Sequence, residues 1–194
     1  PKMDNFLHLT FLGVGNANAL DLGNSSAVLE SSEGQPVLLI DCGPTALPAF
    51  ESRYGQLPDA IFITHLHFDH IGGLENLFFR LAGRADRTSQ VRLFVPSPIV
   101  DRLHQQLADD ACQLAEGGVN FWDFFQLIPV GGGFWLNGRL FDVFEVSHHA
   151  YRSAFGLALS GFFVFTGDTR PVPEALARFA AGGGPVFHDC ALSG

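Results

Sequence analysis

The stretch Thr64-His65-Leu66-His67-Phe68-Asp69-His70 decides the fold, and the residues before it show where it lies. Residues 60–63 form a short, wholly apolar run, typical of a strand that is buried on both faces. The histidine cluster therefore follows directly on the end of a buried strand, where α/β folds commonly assemble their sites. For a chain of this composition, a chance H-x-H-x-D-H match is expected on the order of once in a thousand, so the motif is a strong signal.

Four side chains of this motif are of types that bind transition metals. His65 and His67 are two apart in an extended or turn segment and can point at one ion. Asp69 and His70, at the start of a following helix, can turn towards a second ion. Asp69 alone would be explained as a residue that stabilises the helix start, but the three histidines beside it would not. The sequence therefore predicts two divalent metal ions, with Zn favoured and Mn or Fe as alternatives.

Later segments must complete the two coordination shells, because four neighbouring residues are too few. His148 and His149 follow the apolar alternation of residues 141–146, and only one of them is expected to bind, since adjacent side chains point in different directions. Asp168 follows the apolar run 162–165, where Gly167 allows a tight turn that would deliver a bridging carboxylate. Taken alone, Asp168 would be an ordinary turn residue; beside the His65–His70 cluster it is predicted to be a ligand.

The other apolar runs predict strands interspersed with helices, which indicates sheet layers covered by helices in one domain. A hairpin turn is expected at Ser160-Gly161, and loops at residues 131–133 and 182–184. Strands are predicted at residues 7–12, 26–30, 37–41, 60–64, 91–95, 124–130, 139–146, 155–159, 162–166 and 185–188. Helices are predicted at residues 45–53, 70–81, 99–107 and 173–180.

Composition restricts the partners. The net charge is −9 with 11 Lys and Arg, which argues against the broad basic surface that a large duplex or a tRNA would need. We therefore expect a small anionic substrate, whose charge bound metal ions would balance. No apolar run reaches about 18 residues, so no membrane span is expected. Three widely spaced cysteines do not form a disulfide framework, which favours the cytoplasm, and 20 phenylalanines favour a packed core and leave room for a homodimer contact.

The sequence resembles the metallo-β-lactamase-fold hydrolase superfamily over most of its length. Its opening strands are similar to Thr10-Phe11-Leu12-Gly13-Val14-Gly15, Asn24-Ser25-Ser26 and Leu38-Leu39-Ile40-Asp41-Cys42-Gly43. Its metal motif is similar to residues 64–73, and its third histidine and bridging aspartate are similar to His148 and Thr166-Gly167-Asp168-Thr169. The resemblance implies an α/β fold over residues 1–194: a single-domain αββα sandwich of two mixed β-sheets flanked by helices.

The resemblance also implies a ligand set. His65, His67 and His148 would hold the first metal, Asp69 and His70 the second, and Asp168 would bridge the two ions. Members of the superfamily usually supply a further histidine near the C-terminus. We expect that residue beyond Gly194, in which case the chain stops short of its natural end; a weakened second site, or His188 as the ligand, are the alternatives.

Within the superfamily, the sequence is similar to the branch of phosphodiesterases and tRNA 3′-processing endonucleases. The opening Phe-Leu-Gly-x-Gly with Asn-Ser-Ser carries this likeness, as does Phe155-Gly156-Leu157. The segment Val186-Phe187-His188-Asp189-Cys190 resembles a strand of that branch whose histidine is a catalytic helper. His188, oriented by Asp189, and Asp69 are accordingly the candidate catalytic residues.

These observations predict a metal-dependent hydrolase in which a metal-bridged hydroxide attacks a small or nucleotide-like phosphodiester. Two alternatives stay open on the sequence. One is hydrolysis of an acyl bond in a lactone, thioester or amide. The other is a member of the fold that binds metal without catalysis.

Overall fold

The computed structural model describes residues 7–84, 89–108, 114, 117–150 and 153–189. The chain divides into two compact units. The first comprises Pro1–Val95 and Val100–Ile128, and the second comprises Pro96–Ile99 and Pro129–Gly194. Each unit supplies most of one mixed β-sheet. The single domain over residues 1–194 stays a prediction.

The first sheet has the strand order β1-β2-β3-β4-β5-β6. Its strands are β1 (His8–Gly13), β2 (Ser26–Glu30), β3 (Pro36–Ile40), β4 (Ala60–Phe62), β5 (Val91–Pro96) and β6 (Phe125–Val130). β1, β2 and β3 are antiparallel neighbours, whereas β4 runs parallel to both β3 and β5. β4 is buried along its whole length because it has a neighbouring strand on each side and apolar residues throughout.

Helices of the first unit each bury at least one apolar side chain. They are α1 (Ala46–Tyr54), α2 (Phe68–Ile71), α3 (Gly73–Ala82), α4 (Val100–Leu103) and α5 (Phe121–Phe124), with a 3-10 turn at Leu20–Leu22 and a π-helical turn at His104–Ala108. α3 has helical periodicity: Leu74, Leu77, Phe78 and Leu81 are fully buried, as their spacing predicts.

The second sheet has the order β11-β10-β9-β8-β7. Its strands are β7 (Gly133–Leu136), β8 (Arg139–Val146), β9 (Ala154–Leu159), β10 (Phe163–Phe165) and β11 (Val186–Phe187). Only the pairing of β10 with β11 is parallel among the pairings described here. The second unit also contains α6 (Pro173–Phe179) and 3-10 turns at Ser97–Ile99 and Ala180–Gly182. Leu176 and Phe179 of α6 pack on a buried cluster that includes Phe144 and Val164.

The predicted strands and helices are largely confirmed. The main differences are the helix α5, which was not predicted, and three others. The predicted helix at 70–81 is two helices, because the Gly73 N–H donates to the Cys42 carbonyl (2.8 Å) and not to the preceding turn. Residues 99–107 form a 3-10 turn, α4 and a π-helical turn. β7 lies partly where a loop was expected, and it is joined to β8 by Asn137 and Gly138, both with positive φ, as in a two-residue hairpin turn.

No helix in the described part of the chain has both the length and the apolar character needed to span a bilayer. Cys42 is buried, and burial is the main cause that raises the pKa of its thiol to about 12, so it is an unreactive core residue. Cys112 and Cys190 lie outside the described residues.

A polar cluster joins β2 to the end of α1. Tyr54 donates a hydrogen bond of 2.5 Å to Glu30 Oε1, and Arg53 Nε donates to the same oxygen at 3.0 Å. Burial acts to raise the pKa of Glu30, but the hydrogen bonds from Tyr54 and Arg53 outweigh it and the pKa is lowered. Burial and the bond to Glu30 raise the pKa of Tyr54 to about 12.

Replacing Tyr54 with Phe should lower the free energy of unfolding at neutral pH by about 1 kcal/mol, the usual net value of such a bond. Because the folded-state pKa of Tyr54 lies above the unfolded value of about 10, its contribution is complete below pH 10 and is lost as the pH rises towards about 12. Denaturant titrations of both proteins across this range provide the measurement. An equally steep alkaline loss in Tyr54→Phe would show that the cluster does not cause it.

Candidate metal centre

The first group of candidate ligands lies where two parallel strands end. β3 and β4 are paired in parallel, with Ile40 beside Phe62, so the residues that follow them meet at one edge of the sheet. Asp41 follows β3, and Thr64 and His65 follow β4 after one further apolar residue. The Asp41 N–H donates to the Phe62 carbonyl at 2.9 Å, which holds the two segments together at this point.

Asp41 is a fully buried carboxylate that accepts three hydrogen bonds. Its Oδ1 accepts from the Thr64 N–H at 2.8 Å, and its Oδ2 accepts from Thr64 Oγ1 and from His70 Nδ1, each at 2.7 Å. Asp41 has φ +61°, a left-handed conformation that Asp tolerates better than most residues. These bonds offset the cost of burying the charge and fix the positions of Thr64 and His70.

The same hydrogen bonds determine which ring nitrogens carry protons. A carboxylate can only accept, so His70 Nδ1 carries the proton and Nε2 keeps its lone pair. The Thr64 hydroxyl gives its proton to Asp41, so its oxygen must accept from His65 Nδ1, 3.0 Å away. His65 Nε2 therefore keeps its lone pair as well. Both histidines are held in the form that binds metal, in the manner of carboxylate-oriented metal ligands.

The ligand atoms of the motif lie in two close pairs. His65 Nε2 is 3.0 Å from His67 Nδ1, and His70 Nε2 is 3.5 Å from Asp69 Oδ2. Two nitrogens bound to one tetrahedral zinc at about 2.0–2.1 Å would lie roughly 3.3 Å apart, so the spacing of His65 and His67 fits a shared ion. Because the Asp41 network leaves the Nε2 lone pairs of His65 and His70 unprotonated, this donor set fits a divalent transition metal.

Glycines allow the loop after β3 to approach the metal motif. A Cβ added at Gly43 would lie 1.9 Å from the Asp69 carbonyl oxygen, and one added at Gly73 would lie 2.4 Å from the Gly43 oxygen. The Cys42 N–H donates to the His70 carbonyl at 2.7 Å within the same contact. Any larger side chain at Gly43 would push away the backbone of α2 and the ligands that it carries.

A second group of candidate ligands lies in the second unit, at the ends of β8 and β10. His148 Nε2 is 3.9 Å from Asp168 Oδ2, and both side chains are about three-quarters buried. The His149 ring lies 4.3 Å from the His148 ring, and His149 is exposed. The geometry therefore favours His148 over His149 as the partner of Asp168.

Hydrogen bonds to the Thr169 side chain and to the Ser147 carbonyl align the segments that carry these ligands. The Ser147 N–H donates to Thr169 Oγ1 at 3.1 Å, and the Arg170 N–H donates to the Ser147 carbonyl at 2.9 Å, so the segments that carry His148 and Asp168 are tied together. Gly167 has φ +61°, which the predicted tight turn before Asp168 requires.

His188 follows β11 in the same unit. Its Nδ1 lies 2.6 Å from the Asp189 backbone carbonyl oxygen. The Asp189 carboxylate instead accepts from the Thr169 N–H at 3.3 Å. Asp189 thus orients His188 through its main chain and supports the Asp168 turn through its side chain.

Sequence reasoning missed Asp41 and Thr64 as functional residues. Both lay in segments quoted only for their likeness to the superfamily's strands and metal motif. An aspartate directly after a buried strand and before Cys42-Gly43 was the available signal, but its contact with His70 spans 29 residues of sequence.

Known structures and relatives identify the class of this protein. YhfI from Bacillus subtilis, a metallo-β-lactamase fold protein, superposes with a TM-score of 0.65 at 17% identity, over 88% of this chain and 66% of YhfI. The predicted fold class, the αββα metallo-β-lactamase fold with two mixed sheets flanked by helices, is thereby confirmed.

The model of the family "Anti-Pycsar protein Apyc1" matches residues 7–194, and the chain belongs to that family. An Anti-Pycsar protein Apyc1 of Paenibacillus xerothermodurans is 29% identical over 96% of this chain and 76% of its own length. One from Bacillus phage 010DV004 is 32% identical over 97% of this chain and 78% of its own length. Together with the His and Asp groups, the fold and the family support a metal-dependent hydrolase.

Replacing Asp41 with Asn should weaken metal binding by roughly 10- to 100-fold, because His70 loses its orienting carboxylate. Asn also tolerates positive φ, so the backbone conformation is kept. Competition of Zn²⁺ with a chromogenic chelator gives the affinity, and Asp59→Asn, an exposed Asp at the start of β4, is the matched control. Unchanged Zn²⁺ affinity in Asp41→Asn would disprove the orienting role.

Proposed function

We propose that this protein hydrolyses the phosphodiester bond of a cyclic nucleotide at a dinuclear metal centre. His65, His67 and His148 would hold one divalent ion, Asp69 and His70 the other, and Asp168 would bridge them. The single observation that carries the proposal is the Asp41 network, which fixes His65 and His70 with their Nε2 lone pairs available for metal. A core histidine with a purely structural role has no need of this arrangement.

That His65 and His67 share one centre with His148 and Asp168 is itself part of the proposal. His65 and His67 supply two ligands to a shared ion, which is fewer than the three protein ligands usual at a catalytic zinc. His148 and Asp168 are a second pair of suitable donors, and both side chains are partly exposed. Membership of a family with the metallo-β-lactamase fold supports the union of the two pairs.

When bound, divalent ions would supply positive charge to the phosphate oxygens and acidify water near neutral pH. In the reaction, water adds to phosphorus, one P–O ester bond breaks, and the leaving oxygen takes up a proton. We assign that proton transfer to His188. Its Nδ1 faces the Asp189 carbonyl, so the protonated ring would donate from Nε2.

The choice of substrate rests on the family and on the charge of the chain. The name Anti-Pycsar protein Apyc1 suggests degradation of a cyclic nucleotide. The net charge of −9 disfavours a long nucleic acid but not a small anion held at metal ions. A cyclic nucleotide carries one negative charge on the diester that would be cleaved, which suits this setting.

A substrate panel tests the proposed function. Purified protein with Zn²⁺ or Mn²⁺ is expected to convert purine and pyrimidine 3′,5′-cyclic nucleotides to nucleoside monophosphates, and to leave simple lactones and thioesters intact. Chromatography of the products measures both reactions. Turnover of the lactones or thioesters without turnover of the cyclic nucleotides would replace this proposal with acyl-bond hydrolysis.

Replacing Asp168 with Ala should reduce kcat by more than about 100-fold, since loss of residues that merely support a metal ligand already costs 10- to 100-fold. The bound metal should also fall below two equivalents per chain, as measured by elemental analysis. Glu145→Ala removes an exposed carboxylate from β8 in the same unit and serves as the control. Full activity and full metal content in Asp168→Ala would exclude a bridging role.

A further inference from the structure

Phe68 is exposed in the middle of the metal motif. It lies between His67 and Asp69, and 70% of its surface is accessible, more than that of any other large apolar side chain in the described residues. Its neighbours in the motif are buried or half-buried: Asp69 is 9% exposed and His70 is 1% exposed. Core packing, the ordinary role of a phenylalanine, therefore does not explain this residue.

The Phe68 ring rests on a glycine. A Cβ added at Gly72 would lie 2.7 Å from the ring atom Cε2 and 2.8 Å from Cζ, so the ring packs against bare backbone one helical turn ahead. Gly72 has φ −61° and ψ −21°, a conformation that any residue adopts. Glycine at 72 is thus needed for space, and it gives the exposed ring a support on one side.

Phe68 lies directly between two candidate ligands, His67 and Asp69. Because consecutive Cα atoms are about 3.8 Å apart, the Phe68 Cα is that close to the Cα of a candidate ligand on each side. A molecule whose phosphate is held by those ligands must extend past this segment or away from it. The part of a cyclic nucleotide that is not phosphate or sugar is a flat aromatic base, which is the chemistry that an exposed, supported phenyl ring recognises.

We propose that Phe68 binds the base of the substrate by stacking, and so makes the site selective for nucleotides over other small phosphodiesters. This inference rests on the proposed function. Stacking accepts any base because every base has a π-face, so Phe68 would select for the presence of a base and not for its identity. Loss of one base–aromatic contact is expected to raise KM roughly 5- to 150-fold.

The test compares Phe68→Ala with the unmodified protein on two substrates. One is a 3′,5′-cyclic nucleotide, and the other is the methyl riboside 3′,5′-cyclic phosphate, which has the same diester ring but no base. Phe68→Ala should raise KM only for the nucleotide and leave kcat and bound metal unchanged. Phe68→Trp should restore the low KM, whereas Phe68→Leu, which is apolar but has no π-face, should not.

Phe79→Ala is the matched control, because Phe79 is also exposed, at 45%, but lies in the last turn of α3 outside the motif. An equal loss on both substrates, full rescue by Phe68→Leu, or an unchanged KM would each overturn the stacking role. A change from dimer to monomer in Phe68→Ala at an unchanged KM would identify Phe68 as a subunit contact instead.

Failure of the proposed function can be told apart from failure of this inference. If the unmodified protein hydrolyses no cyclic nucleotide, the proposed function is wrong, and calorimetry with a nucleoside 5′-monophosphate and with ribose 5-phosphate decides on Phe68. Tighter binding of the nucleoside monophosphate that is lost in Phe68→Ala would still support stacking. Equal binding of the two compounds, or binding of neither, would overturn it.

Discussion

The Asp41 carboxylate is the constraint on which the metal motif depends. One buried side chain accepts hydrogen bonds from the Thr64 N–H, the Thr64 hydroxyl and His70 Nδ1. Since it is fully buried, losing any of these partners would leave its charge less well compensated, which is more costly than losing a surface hydrogen bond. The network therefore forms as a whole, and it fixes the proton positions of His65 and His70 before any ion is bound.

This arrangement depends on backbone that only certain residues permit. Asp41 itself adopts a left-handed conformation, and Gly43 lies so close to the Asp69 carbonyl that a Cβ would overlap it. The Cys42 backbone accepts from the Gly73 N–H and donates to the His70 carbonyl, and both of these groups would otherwise form hydrogen bonds within one continuous helix. The break between α2 and α3 is thus a consequence of docking the loop after β3 onto the metal motif.

The candidate ligands could be predicted from the sequence more readily than the residues that orient them. His65, His67, Asp69 and His70 are predictable because a short spacing brings them to one strand end, and Asp168 because a glycine turn follows a buried strand. Asp41 is different: its contact with His70 is set by the parallel pairing of β3 and β4, which local patterns do not reveal. β7 was missed for another reason, since three glycines at 131–133 suggested a loop and the Asn137-Gly138 turn signal was not used.

The two groups of candidate ligands differ in how deeply they are buried. His65 and His70 are 3% and 1% exposed and are linked to the buried Asp41 carboxylate, His70 directly and His65 through Thr64. The His148 and Asp168 side chains are 21% and 27% exposed. Orienting ligands in advance lowers the entropy that metal binding must otherwise lose. A metal held by His65 or His70 would therefore meet ligands whose orientation the Asp41 network has already set.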